Sequence, residues 1–280
     1  MTTDTVRVGP AAASLGTGHA SFRRLLLAEW TKLRTVRSTI WSLVALVIIA
    51  LGFTVLLSTL TAHYWAQATP TQRATTLGDP VNSILGGGLG LGQLAICVLG
   101  VLVTAGEYST GMIRSTLLAA PRRLRPLAAK CVVFTVIVLI IGEVMGVSCF
   151  FIGRAILSSH VQVSLSDPGV TRAVLGFGLY LGMVGLYSIA IGQLIRHVAG
   201  SVCTVLGTVL VLPLLASTIP GTFGKHLNAY LPTNAGSLIL TAGQPKSGQL
   251  LTAWEGYGVF ALWVAVLLAF AGWLLVKRDA

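Results

Sequence analysis

Glu107, Tyr108, Gly111 and Arg114 head a short polar stretch, EYSTGMIRSTLLAAPRRLR (107–125), set between two apolar runs that are each long enough to cross a bilayer. A carboxylate at the mouth of an apolar helix implies ion pairing rather than bond making. Cations are the usual tenants of an anionic headgroup layer, so Glu107 needs a cation to offset its cost, either Arg114 or one from a neighbouring span. Tyr108 fits the aromatic belt of a membrane interface. Gly111 lets the chain turn from a vertical to a lateral course at small steric cost. The spacing predicts a lateral helix over Gly111–Ala120, stopped at Pro121, with Arg122, Arg123 and Arg125 holding the return at the headgroups. Such a helix could receive force from a soluble partner. The alternative is a basic loop that only sets orientation.

Two further places carry ionisable groups against an apolar background. In Ser21–Ser38 the residues Phe22, Leu25, Leu26, Trp30, Leu33 and Val36 fall on one helical arc of about 140°. Arg23, Arg24, Thr31, Arg34 and Thr35 occupy the other side, the pattern of an interfacial helix with its cations among headgroups. This helix either has a mechanical role or is an orientation anchor. Glu29 lies inside the apolar arc beside Trp30, where a carboxylate requires a partner, expected to be a cation across the cytoplasmic surface. Glu143 is the only acid well inside an apolar run. A carboxyl there faces the bundle or water. It either makes an interhelical hydrogen bond, with Ser148, Gln193 or another buried polar group as partner, or lines a cargo path or gate.

Other chemistries find no support. There is no HExxH, GxSxG or P-loop in the chain, and no pair among His19, His63, His160, His197 and His226 has metal-ligand spacing. Cys97, Cys131, Cys149 and Cys203 all fall in or beside apolar runs and form no CxxC, which points to packing rather than metal or disulfide roles. The sequence therefore predicts no enzyme, no metal and no cofactor held by this chain. The surplus of 19 Lys+Arg over 8 Asp+Glu does not interleave with aromatics, which excludes a nucleic-acid interface.

The elements that must position these residues follow from composition. The chain of 280 residues is 54% hydrophobic and 10% charged, and its mean hydropathy is +0.84, outside the range of aqueous cores. Six segments are long enough to span: Thr39–Thr61, Ile84–Ala105, Cys131–Ile152, Ala173–Leu194, Ala199–Ile219 and Gly256–Val276. Only Ile195–Val198 separates the fourth from the fifth, which demands a tight hairpin. With the N-terminus inside, fourteen Lys and Arg fall on the inner side and five (Arg73, Arg154, Arg172, Lys225 and Lys246) on the outer. That bias places both termini in the cytoplasm. Residues 1–20 read as a disordered cytoplasmic tail, and 21–280 as one membrane domain. The outer stretch Pro220–Glu255 carries too many apolar residues for a solvated loop. It predicts short re-entrant or interfacial helices, broken at Pro232 and Pro245. Gly142/Gly146 and Gly178/Gly182 have the spacing of close helix packing, and the cluster from Gly86 to Gly92 serves either packing or a bend.

These segments resemble a bacterial ABC type-2 transporter permease, the exporter-like membrane subunit of ABC systems, over essentially Ser21–Ala280. LLLAEWTKLRTVRSTIW matches the family's interfacial elbow helix, GEYSTGMIRSTLLAAPRRLRPLAAK its cytoplasmic coupling segment, and LNAYLPTNAGSLI its re-entrant region. The resemblance implies an all-α polytopic protein of six transmembrane helices, with an elbow helix at Glu29, Trp30 and Arg34. It implies a coupling helix between spans two and three, with Glu107, Tyr108, Gly111 and Arg114 as its residues, and a re-entrant segment before span six. It also implies residence in the bacterial plasma membrane, a second permease subunit (homodimer or heterodimer), and a cytoplasmic ABC ATPase that binds ATP and Mg. The expected function is export of an unidentified cargo with energy from that ATPase. The alternative is an ATP-independent secondary transporter or a membrane scaffold subunit.

Overall fold

The computed structural model describes residues 21–35, 37–113, 123–243 and 248–277, and among them the chain is all helical. Six helices are long and apolar enough to cross a membrane, the character of a multi-pass integral membrane protein. A backbone in hydrocarbon must satisfy its own hydrogen bonds, so each apolar run closes into a helix. Helix α1 (Phe22–Thr35) precedes α2 (Arg37–His63), the first span. A 3-10 turn and α3 (Pro70–Gly78) lead to α4 (Pro80–Ser109), the second. Then come α5 (Leu124–Leu157) and α6 (Val170–Ile195). The fifth span, Val198–Thr218, runs α7 (Val198–Leu206), a π-helical turn Gly207–Val211 and α8 (Leu212–Thr218). Short helices α9 (Gly221–Tyr230) and α10 (Pro232–Ser237) precede the last span, α11 (Ala253–Lys277).

All six expected spans are present, and most extend a few residues beyond the apolar runs. The reason is capping: helices end where their terminal N–H and C=O groups find partners, not where hydrophobicity stops. Asp79 caps α4 by accepting from the Asn82 N–H, and Pro80 occupies the first turn, where its missing donor costs nothing. Helix α6 stops at Arg196, whose φ of 59° puts it in the left-handed region that few non-glycine residues adopt. This supplies the tight hairpin between spans four and five. In the fifth span Pro213 has no N–H for the Val209 carbonyl, and the preceding turn widens into the π form.

Helix α6 is the centre of the bundle, packed most extensively against α4 and α5 and also against α7 and α11. Its approach to α5 depends on glycine. A Cβ on Gly142 would lie 2.7 Å from the Gly178 Cα, and one on Gly146 would lie 2.8 Å from Phe177 Cβ and the Val174 carbonyl. Gly182 has only Thr135 Cγ2 at 3.6 Å from such an added Cβ, an ordinary contact, so the second expected pair is only half used. In the earlier cluster Gly87, Gly88 and Gly92 are packed, whereas Gly86 and Gly90 face open space.

The segment expected to hold short re-entrant or interfacial helices contains α9, α10 and a 3-10 turn at Leu238–Leu240, with a break at Leu231–Pro232. Pro232, Ala235, Gly236, Ile239 and Leu240 are buried. A Cβ on Gly236 would meet Phe260 Cδ1 at 2.3 Å, which seats this segment directly on α11. Arg172 donates to the Thr241 carbonyl at 2.6 Å, and the Ala242 N–H donates to Asp79 at 3.3 Å, tying the segment to that end of the bundle. Pro245, the second expected break, lies outside the described residues, as does the tail 1–20.

Candidate functional site

A cluster of four charges forms where α1, α4 and α5 meet, at the end of the bundle shared by the start of α2 and the end of α11. Glu107, near the C-terminus of α4, is 6% exposed and accepts from two lysines, Lys32 of α1 and Lys130 of α5. Lys130 is 4% exposed and also donates to the Val103 carbonyl at 3.0 Å. Glu29, one turn before Lys32 on α1, is buried and lies 3.6 Å from the Lys32 ammonium. Among the described residues two carboxylates meet two ammonium groups, so their formal charges cancel, the condition under which buried charge is tolerable.

Each element puts its residue there for a local reason. Glu29 and Leu33 are the buried residues of α1, so the side turned to the bundle is narrower than the apolar arc. Trp30 and Phe22 remain largely exposed, and Lys32 reaches Glu107 from the edge of the buried side. Glu107 and Lys130 lie near the facing ends of consecutive antiparallel spans, so they share a depth. The Lys32 ammonium is half desolvated, which alone would lower its pKa. The hydrogen bond and charge of Glu107, with Glu29, outweigh that and raise it above the ordinary lysine range.

Tyr108 turns the other way. Its hydroxyl accepts from Gln193 near the end of α6, and the Arg196 guanidinium lies 5.1 Å from its ring centroid. Glu107 and Tyr108 therefore tie the end of α4 to four other parts of the molecule: α1, α5, α6 and the hairpin after α6. Three residues on, Gly111 has φ 73° and directs the chain away from α4, as expected of a turn. A Cβ there would meet nothing within 4 Å, so the requirement is conformational rather than steric. Arg114 and the expected lateral helix from residue 114 onward, with Pro121 and Arg122, lie outside the described residues. On the far side of that gap, Arg123 donates to the Leu275 carbonyl at 3.2 Å, fixing the start of α5 to the end of α11.

The expectation of a neighbouring span's cation for Glu107 is met by Lys130 of α5, whereas Lys32 of α1 is a second partner that sequence reasoning missed, and it stands on the same helix as Glu29. In sequence Lys32 and Lys130 are two of the fourteen inner cations with no local pairing pattern, and Gln193, a candidate for Glu143, is the partner of Tyr108. The usable signal was depth: an acid at the end of one span and a lysine at the start of the next occupy the same level.

Glu143 stands apart from this cluster, on α5 against α6. A Cβ on Gly178 would lie 2.6 Å from Glu143 Oε1, so the carboxyl occupies the space that glycine leaves free. Its Oε2 is buried without a hydrogen-bond partner among the described residues. The expected bond to Gln193 does not form, because that amide donates to Tyr108 instead, and no bond to Ser148 is present. No grouping of three or more His, Cys, Asp or Glu able to hold a metal occurs among the described residues.

The sequence matches no protein-family model, and comparison with characterised proteins finds no match.

Proposed function

We propose that this chain is the membrane-spanning permease subunit of an ATP-driven exporter, with both termini cytoplasmic and energy supplied by a separate ATPase. The observation that carries the reading is the neutral cluster at Glu107. It clamps α1, α4 and α5 together at the root of segment 111–122, so a push on that segment is delivered to three elements at once. Without this clamp a lateral segment would flex on its own. With it, displacement is shared by elements that move as a body, the requirement for alternating between inward- and outward-facing states. The chain has no nucleotide-binding motif of its own, and ATP can bias the two states only through a partner that binds them differently. The excess of Lys and Arg at the end that holds the cluster orients that end toward the cytoplasm.

Cysteine crosslinking tests the reading. The four native cysteines are replaced, a single cysteine is placed at Leu118, and the chain is co-expressed with candidate P-loop ATPases. The reading expects a crosslink to one ATPase, and nucleotide hydrolysis by the reconstituted pair that depends on the permease. Failure of every candidate to crosslink or to be stimulated would remove ATP coupling. A second reading, an ATP-independent carrier, rests on Glu143, whose unpartnered Oε2 leaves a protonatable group inside a span. It expects cargo movement driven by a proton gradient in vesicles holding the chain alone.

A further inference from the structure

A cavity of about 170 Å³ lies between α1 and the spans α2, α4 and α5, beside the charged cluster. Leu33, Leu43, Leu99 and Phe134 line it, with Trp30 and Arg34 of α1 completing the wall. Apart from the indole N–H and the guanidinium, every named side chain here is hydrocarbon. The space is well below the several hundred Å³ of a typical small-molecule site and suits a single narrow hydrocarbon chain. Arg34 is exposed and makes no hydrogen bond or ion pair among the described residues, in contrast to Lys32 two positions earlier. A guanidinium free to make paired hydrogen bonds is the side chain that best fits a phosphate. Trp30 is 45% exposed, and an indole is suited to the boundary between acyl chain and headgroup.

We propose that this groove binds one acyl chain of an anionic glycerophospholipid, with the lipid phosphate on Arg34 and the chain running inward past Leu43 toward Leu99 and Phe134. The inference rests on the membrane reading and its orientation, since it takes the lipid from the cytoplasmic leaflet, but not on ATP coupling. Charge complementarity selects the occupant: an apolar slot with a free cation at its mouth matches a molecule that joins a hydrocarbon chain to an anion. The bound lipid bridges α1 to three spans on the side of α1 next to the Glu29–Lys32 pair, so it holds the same helix that the cluster holds.

The test uses the full chain with Trp30 as its sole tryptophan, the other five replaced by phenylalanine. The protein is reconstituted in phosphatidylcholine vesicles containing rising fractions of either phosphatidylglycerol or phosphatidylcholine brominated on the acyl chain, and Trp30 fluorescence is followed. Half-quenching is expected at a mole fraction about fivefold lower for phosphatidylglycerol, the factor that one arginine contributes at an anionic surface. Arg34→Gln should abolish this preference, and Leu43→Phe, which fills the groove, should weaken quenching by both lipids. Unchanged thermal unfolding of both variants confirms that the fold is intact. Equal quenching by the two lipids in the parent overturns the proposal. So does a preference that survives Arg34→Gln but disappears in an Arg23→Gln/Arg24→Gln variant, because that is general attraction to a basic helix. Loss of ATPase crosslinking at Leu118 with the lipid preference intact would count against the transport reading alone.

Discussion

Glu107 and Glu143 are both acids on apolar helices, and the molecule treats them in opposite ways. Glu107 is enclosed by two lysines from two other elements, and its cluster is neutral. Among the described residues Glu143 meets no cation, and its Oε2 is buried without a partner. The difference separates two uses of charge in a membrane. A paired acid fixes helices to one another, because breaking the pair strands a charge. A lone acid fixes nothing, and what it contributes must lie in its proton or in what passes beside it.

The sharpest way to break the comparison is to remove one partner at Glu107. Lys130→Met leaves Glu107 with Lys32 alone and should destabilise the protein by about 3–5 kcal/mol, the usual cost of orphaning one member of a buried pair. Thermal unfolding in detergent would show it. The swap Glu107→Lys with Lys130→Glu should recover part of the loss, and the double-mutant cycle measures the coupling directly. Recovery will be incomplete, since Lys32 then faces a lysine. The contribution of Lys32 should be constant through neutral pH. Its folded pKa is raised, so its stabilisation is fully present below the unfolded value of about 10.4 and is lost only as pH rises through the folded one.

Next in size are the glycines that seat α5 on α6, next to Glu143. Gly142→Ala places a methyl 2.7 Å from the Gly178 backbone, which cannot move aside cheaply, and should cost about 1–3 kcal/mol. Gly182→Ala, with its nearest neighbour at 3.6 Å, should be close to neutral. Equal losses for the two would mean that the GxxxG spacing itself, rather than the contact, is what matters. Gly111→Ala should cost about 1 kcal/mol from its positive φ alone. Its larger effect should be on crosslinking at Leu118, because the direction of segment 111–122 is set there. Full crosslinking with normal stability would reduce that segment to a basic loop that only sets orientation.

The spans were legible because run length is a direct consequence of bilayer thickness, and even the Ile195–Val198 hairpin could be read from its shortness. The short helices α9 and α10 were readable from apolar residues where a solvated loop would have none. Helix α3 is absent from the expected elements, although the capping box of Thr69 and Gln72, with Pro70 in the first turn, states its start locally. The partners of Glu107 were harder, because pairing across three elements depends on depth and rotation, which no local pattern encodes. Arg114 is the nearest cation in sequence and lies outside the described residues, whereas the cations that meet Glu107 among those residues are Lys32 and Lys130. Glycine spacing likewise offered two equivalent pairs, and only the packing of α5 on α6 distinguishes them.

The smallest effect on stability should come from Glu143, and its sign is informative. Were the carboxyl hydrogen-bonded to Ser148 or Gln193, Glu143→Leu would strand that partner and destabilise by about 1–3 kcal/mol. Because Gln193 is engaged by Tyr108 and Glu143 Oε2 has no partner, the substitution strands nothing there. Glu143→Leu should therefore be neutral or slightly stabilising in thermal unfolding, and Glu143→Gln should match the parent. A clear loss for Leu would reveal a partner and return Glu143 to the class of Glu107. Transport then distinguishes what remains. If the acid borders the cargo path, both substitutions should alter export while leaving the charged cluster and ATPase crosslinking intact. If export is unchanged by both, the Glu143 carboxyl has no role in transport, and the charge chemistry left to test among the described residues is the cluster at Glu107.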